Sequence, residues 1–251
     1  MSSFVYGQHA VAAILTQAPQ RAKNFYYVSD KTHSWVGQLV TLAQQQGLGC
    51  HRLSREQLES RFSDLGVHQG VVLEVKPVNV LGESLLEETV SQAIDKKGRV
   101  SVLALDEVQD PRNLGACLRS AAAFDVDAVI IPKRRSAALT PLVEKVACGG
   151  AMFVPVFVVT NLARTLKALQ QQGLWVVGTS LEATQSLQQV DLTGNCVLVM
   201  GSEGDGMRQL TAQSCDFLAK IPMSGALPSL NVSAATTVCL YEQSRQILTK
   251  K

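Results

Sequence analysis

The chain has 251 residues, a formal net charge of +2, 46% hydrophobic and 18% charged residues, and six cysteines. That length fills one large core or two modest ones, and the composition is that of a globular protein expected to fold without metals or disulfides. No apolar run approaches the roughly 20 residues needed to cross a bilayer, and so small a charge does not by itself mark a polyanion binder.

The opening, MSSFVYGQHAV, has no basic segment leading into an apolar one, so no signal peptide and a cytoplasmic location are expected. From Tyr6 to Val75 the pattern alternates. A helix is predicted from Gln8 to about Gln17, a strand at Phe25 to Val28, a helix from His33 to Gln46, a short strand near Cys50, a helix from Arg55 to Arg61 and a strand at Gly70 to Val75. Together they read as a small α/β sandwich complete in itself. The segment to Val80 carries seven Lys/Arg against five Asp/Glu, and the remainder sixteen against sixteen, which is either a weakly basic accessory domain or ordinary surface charge.

Lys76 to Glu83 mixes proline and glycine with polar residues and precedes the charged helix LLEETVSQAIDKK. The expected division is a first domain at 1–76, a linker and connecting helix at 77–97, and a second domain at 98–251. The second domain opens with VSVLAL, which ends at Asp106 and enters the loop DEVQDPRNLG. A helix is predicted to start near Leu114, and strands at Ala128 to Ile131, Val154 to Val159, Trp175 to Gly178 and Val197 to Met200 alternate with helices. Continuous apolar strands separated by helices predict a parallel sheet covered on both faces.

The six cysteines form no CxxC pair and sit mostly in apolar segments, which points to buried free thiols in a reducing compartment. His9, His33, His51 and His68 all fall in the first domain. Acid or base chemistry in the second must proceed without histidine, and a His/Cys zinc site is not expected there.

Four stretches carry candidate chemistry. In Asn113-Leu114-Gly115-Ala116-Cys117-Leu118-Arg119, Asn113 reads as a helix cap, and Arg119 either pairs on the surface or serves a ligand. Leu118, Ala121 and Ala122 already supply the apolar face, so an arginine between them needs a reason. Gly201-Ser202-Glu203-Gly204-Asp205-Gly206 is neither a dinucleotide fingerprint nor a Walker loop. Its carboxylates oppose phosphate, so it is either a solvated turn or a site for a cationic or sugar-bearing ligand. Pro228-Ser229-Leu230-Asn231 precedes the last helix, which Asn231 or Ser233 could cap. Lys133-Arg134-Arg135-Ser136 is a basic turn after a strand, open to phosphate or to water.

NLGACLR, LVMGSEGDGM and IPMSGALPSLNVSAA resemble, in order, spacing and composition, the three motifs of the SpoU (TrmH) group of SPOUT RNA 2'-O-methyltransferases. The first domain, with its YGQHAV opening and HQG close, is similar to the L30e-like substrate-binding domain of RlmB-type enzymes in that group. The resemblance implies an α/β fold: an L30e-like domain followed by a parallel-sheet domain tied in a deep trefoil knot, working as a homodimer. It implies S-adenosylmethionine as cofactor, no metal, and 23S rRNA as partner. Gly201, Ile221 and Leu230 would contact the cofactor through the backbone, with Thr179 a neighbour. Asn113, Arg119, Glu203, Ser229 and Asn231 would be the functional side chains. The implied reaction methylates the ribose 2'-hydroxyl of a guanosine in the peptidyl-transferase region of 23S rRNA. The alternatives are a transfer-RNA ribose methyltransferase and a noncatalytic RNA-binding assembly factor.

Methyl transfer to a hydroxyl is an in-line displacement in which positioning and desolvation supply much of the rate. The hydroxyl must lose its proton, and the resemblance offers Arg119 as the base. An arginine pKa above about 12 makes oxyanion stabilisation and phosphate contact its firmer role.

Overall fold

The computed structural model describes residues 3–28, 34–65, 67–227 and 229–250. Met1, His33 at the expected start of the second helix, and Pro228 lie outside the described residues.

The first sheet is built from β1 (Ser3–Tyr6), α1 (Gln8–Gln17), β2 (Ala22–Val28), α2 (Ser34–Gln45), β3 (Gly49–Leu53), α3 (Arg55–Arg61) and β4 (Val71–Val75). Its strand order is β1-β4-β2-β3, with β4 antiparallel to both neighbours and β2 parallel to β3. The alternation of β2 and β4 explains the two-sided packing. Phe25, Val71 and Leu73 join Val11, Ile14, Leu15 and Leu39 on one face, while Tyr26 and Val72 meet Leu58 and Phe62 on the other. Ser54 and Gln57 close a reciprocal capping box that starts α3 at Arg55. β1 was not expected from the sequence, because four residues at an edge give too little alternation to read.

The second sheet follows with β5 (Leu81–Gly82), α4 (Leu86–Lys97), β6 (Ser101–Leu105), α5 (Pro111–Ala123), β7 (Ala128–Pro132), α6 (Pro141–Val146), β8 (Val156–Val159) and α7 (Leu162–Gln171). It is completed by β9 (Trp175–Thr179), β10 (Gln185–Ser186), β11 (Cys196–Met200), α8 (Gln209–Ala212), β12 (Phe217–Lys220) and α9 (Val232–Thr249). The order is β10-β12-β9-β11-β6-β7-β8-β5, and every pairing is parallel.

The continuous apolar strands follow from burial on both faces. Along β11, Cys196, Leu198 and Met200 face the core shared with α5 and α9, and Val197 and Val199 face the core shared with α4 and α7. β12 stops at Lys220, before Ile221-Pro222-Met223, since Pro222 has no N–H to continue a ladder.

α5 begins three residues earlier than expected. Asp110 is the cap, accepting from the Arg112 N–H, and Pro111 takes the first helical position, where a missing N–H costs nothing. Asn113 therefore lies inside the first turn with its amide free to reach elsewhere. The carboxyl ends of β6, β9, β11 and β12 share one edge of the sheet, where Asp106, Thr179, Gly201 and Ile221 sit.

Candidate active site

At the end of β11 the turn Ser202–Gly206 folds back against Gly201. Ser202 N–H donates to the Gly206 carbonyl at 2.9 Å and Gly206 N–H returns the bond at 3.2 Å. A Cβ on Gly201 would lie 2.2 Å from the Gly206 carbonyl carbon and 2.3 Å from the Met207 nitrogen, so only glycine fits. Gly204 and Gly206, at φ 94° and 69°, supply the left-handed conformations that reverse the chain. Gly201→Ala is expected to lower stability by about 1–3 kcal/mol, the usual cost of overpacking, seen as a fall of several degrees in the thermal midpoint. An unchanged midpoint would mean that the turn is not rigid.

The turn carries Glu203 to the side chains of two distant segments. Asn113 Nδ2 donates to Glu203 Oε2 at 3.1 Å, and Asn231 Nδ2 lies 3.4 Å from both carboxylate oxygens and 3.1 Å from Asn113 Oδ1. Asn231 Oδ1 accepts from the Ser233 N–H at 2.9 Å, which caps α9. One amide thus starts the last helix with its oxygen and holds the turn with its nitrogen. Asn113, Glu203 and Asn231 are brought together in this way.

Arg119 is not in that cluster. Six residues beyond Asn113 on α5, it projects towards α6, and its Nη1 donates to the Cys148 sulfur at 3.5 Å. Ser229 and Leu230 are exposed in the coil before α9, and Ser229 makes no hydrogen bond among the described residues. The Thr179 hydroxyl, at the end of β9, donates to the Val199 carbonyl at 3.2 Å. Ile221 is half-buried against the core under α5 and α9.

The loop after β12 can receive a ligand. The amides of Ile221 and of Met223 through Leu227 lie in coil and find no acceptor among the described residues. The side chains of Met223, Leu227 and Leu230 are exposed beside them. Unpaired amides next to apolar side chains suit a flat, polar-edged ring, and the Glu203 carboxylate, which meets Asn231 where this loop ends, suits a cationic group. Among the described residues, no group of three or more His, Cys, Asp or Glu is placed to hold a metal ion.

One ion pair, a buried carboxylate with a surface arginine, was not singled out from the sequence. Asp106 is fully buried at the end of β6, and its carboxylate accepts from the Arg208 N–H and Nε at 2.9 Å and from Nη2 at 2.6 Å. A buried carboxylate needs such a partner, and the pair ties the segment after the glycine turn to the central strand. An aspartate closing the apolar run VSVLAL was the available signal. Arg208 and Arg135 also approach Glu107, at 3.4 and 3.7 Å, so the basic turn Lys133-Arg134-Arg135 borders the same edge. Burial pushes the Cys117 thiol up to about 11 and those of Cys196, Cys215 and Cys239 up to about 12, so all four stay protonated and unreactive at neutral pH.

Residues 101–241 match the SpoU rRNA Methylase family, and residues 4–81 match the RNA 2'-O ribose methyltransferase substrate binding domain. The chain is 52% identical over 242 residues to the 23S rRNA (guanosine-2'-O-)-methyltransferase RlmB of Pseudomonas aeruginosa, covering 96% of each chain. The solved SpoU methyltransferase AviRb of Streptomyces viridochromogenes, in complex with AdoMet, superposes with a TM-score of 0.74 at 19% identity, over 99% of this chain and 91% of that one. The TrmH/SpoU tRNA modifying enzyme of A. aeolicus superposes with a TM-score of 0.57 at 28% identity, over 66% of this chain and 86% of its own.

Proposed function

The chain belongs to the SpoU rRNA methylase family, and we propose that it acts on a guanosine in the peptidyl-transferase region of 23S rRNA, as a homodimer in the cytoplasm. It is an S-adenosylmethionine-dependent 23S rRNA guanosine 2'-O-methyltransferase. Residues 1–76 are the RNA-gripping domain, 77–97 the connection, and 98–251 the knotted methyltransferase domain. The rRNA assignment is supported by relatives that match across both sheets, whereas the tRNA-modifying enzyme spans only part of the chain.

The observation that carries the site assignment is the meeting of Asn113, Glu203 and Asn231, drawn from positions up to 118 residues apart, beside a glycine turn at the carboxyl edge of a parallel sheet. Ligands in open α/β folds bind at such an edge. S-adenosylmethionine supplies the methyl group on a sulfonium when bound. The amides of Gly201, Ile221 and Leu230 hold it, with Thr179 as a neighbour at the end of β9. Asn113 and Asn231 fix Glu203 and so the turn, and Ser229 orients the ribose. Arg119 stabilises the negative charge that develops on the attacking oxygen and contacts the adjoining phosphate, because a guanidinium is a fixed fork of donors that does not deprotonate.

The dimer is supported by α9. Ala234, Val238, Tyr241, Arg245 and Leu248 recur at helical spacing on one exposed face, with Tyr241 57% and Leu248 67% accessible. A second copy covers that stripe and brings its own Arg119 to the pocket that a single chain leaves without one.

The test is to incubate the protein with labelled S-adenosylmethionine and, separately, transfer-RNA and ribosomal-RNA transcripts, then map the product. The expected result is label on one guanosine ribose of 23S rRNA. Label in transfer RNA alone, or none in either, would overturn the reading.

A further inference from the structure

Arg119 is an exposed side chain on a long flexible stem, and such a group works as an oxyanion donor only if something limits its rotamers. Its guanidinium has one hydrogen-bond partner among the described residues, the sulfur of Cys148 at 3.5 Å. Cys148 belongs to an unusual corner. α6 ends at Val146, and then Cys148 and Gly149 both take left-handed conformations, at φ 49° and 85°. A non-glycine residue there carries a conformational cost that the surroundings must hold in place.

Two neighbours hold it. On one side, a Cβ on Gly150 would lie 3.0 Å from both the Arg119 Cα and the Leu118 carbonyl oxygen, so the corner rests directly on the backbone that bears Arg119. On the other, a Cβ on Gly149 would touch Ile14 Cγ1 at 3.7 Å and the Ala10 carbonyl oxygen at 3.8 Å, both on α1. Cys148 and Met152 pack against the core of the first domain. α6 adds a further tie, since Lys145 Nζ donates to the Leu65 carbonyl at 3.4 Å and lies 5.1 Å from the centre of the Tyr6 ring.

We infer that Cys148 is a positioning residue for Arg119, and that the Cys148–Gly150 corner is clamped between α1 of the RNA-binding domain and the helix that carries the arginine. The first domain therefore does more than grip RNA: it backs the corner that aims the guanidinium. The inference rests on the role given to Arg119 above.

Full-length Cys148→Ala, Cys148→Ser and Arg119→Ala test it together. Alanine and serine both leave a Cβ-bearing residue in the left-handed position, so backbone strain is held nearly constant, while serine keeps an acceptor and alanine does not. Cys148→Ala is expected to lower kcat about five- to tenfold, in the range of losing one ordinary hydrogen bond, as suits the weak acceptor sulfur, with the RNA KM and S-adenosylmethionine affinity unchanged. Cys148→Ser is expected to return kcat to within about twofold of wild type. Nitrogen-15 NMR of the arginine side chains gives a readout independent of turnover: the Arg119 Nε–H signal should show greater mobility in Cys148→Ala. Wild-type kcat and mobility in Cys148→Ala, with Arg119→Ala inactive, would overturn the inference and leave the role of Arg119 standing. Parallel losses in kcat, KM and cofactor affinity that serine does not restore would reduce Cys148 to a packing residue and also overturn it. An active Arg119→Ala would overturn both.

Discussion

Replacing Arg119 with alanine is expected to cut turnover by at least about a hundredfold, the usual loss on deleting one oxyanion donor, while S-adenosylmethionine binds with near wild-type affinity. The two effects separate because of where the side chain lies. Within one chain Arg119 points from α5 towards the corner after α6, and among the described residues it makes no hydrogen bond with the Gly201 turn or the Asn113–Glu203–Asn231 cluster. Lysine would keep the charge but not the planar fork, so Arg119→Lys is expected to recover little. Calorimetry for cofactor binding and single-turnover methylation for chemistry provide the comparison. Weakened cofactor binding, or turnover within tenfold of wild type, would remove Arg119 from the role proposed for it.

Mixing two inactive variants is expected to restore activity. In a twofold-symmetric dimer whose pocket takes Asn231 from one chain and Arg119 from the other, a mixed dimer of Arg119→Ala and Asn231→Ala holds one doubly defective site and one intact site. Equal mixing makes about half the dimers mixed, so about a quarter of wild-type activity should return. The different partners of Asn113 and Arg119 on α5, and the uncovered stripe on α9, motivate the experiment. No recovery, once mass spectrometry has shown subunit exchange, would place both residues in one subunit's site.

Much of the fold was legible in the sequence because its strands and helices are strongly patterned. β6, β7, β9 and β11 are apolar runs buried on both faces, and α1 and α3 lie within their predicted limits. β1, β5 and β10 escaped notice because edge strands of two to four residues carry no usable period. The start of α5 was misplaced because Asn113 is a good cap in isolation, while Asp110 followed by Pro111 is a better one. The family resemblance pointed to Asn113, Glu203 and Asn231, but not to the shared amide contacts through which they meet. Nor could it show that Cys148 stands beside Arg119, since that depends on how the corner after α6 packs against α5 and the first domain.

The position of β9 has a consequence for how the protein is made. Its two ladder partners, β11 and β12, both come later in the chain, and β11 fills the place between β9 and the much earlier β6. The first sheet can close as soon as β4 is synthesised, but in the second β9 waits without a ladder partner until residue 200 has emerged, and β10 until residue 220. Pairing across such separations is slow, and it leaves apolar strands open to other nascent chains in the meantime. Refolding should therefore proceed in two stages, with the β10-β12-β9-β11 half of the second sheet the last part to acquire protection from hydrogen exchange.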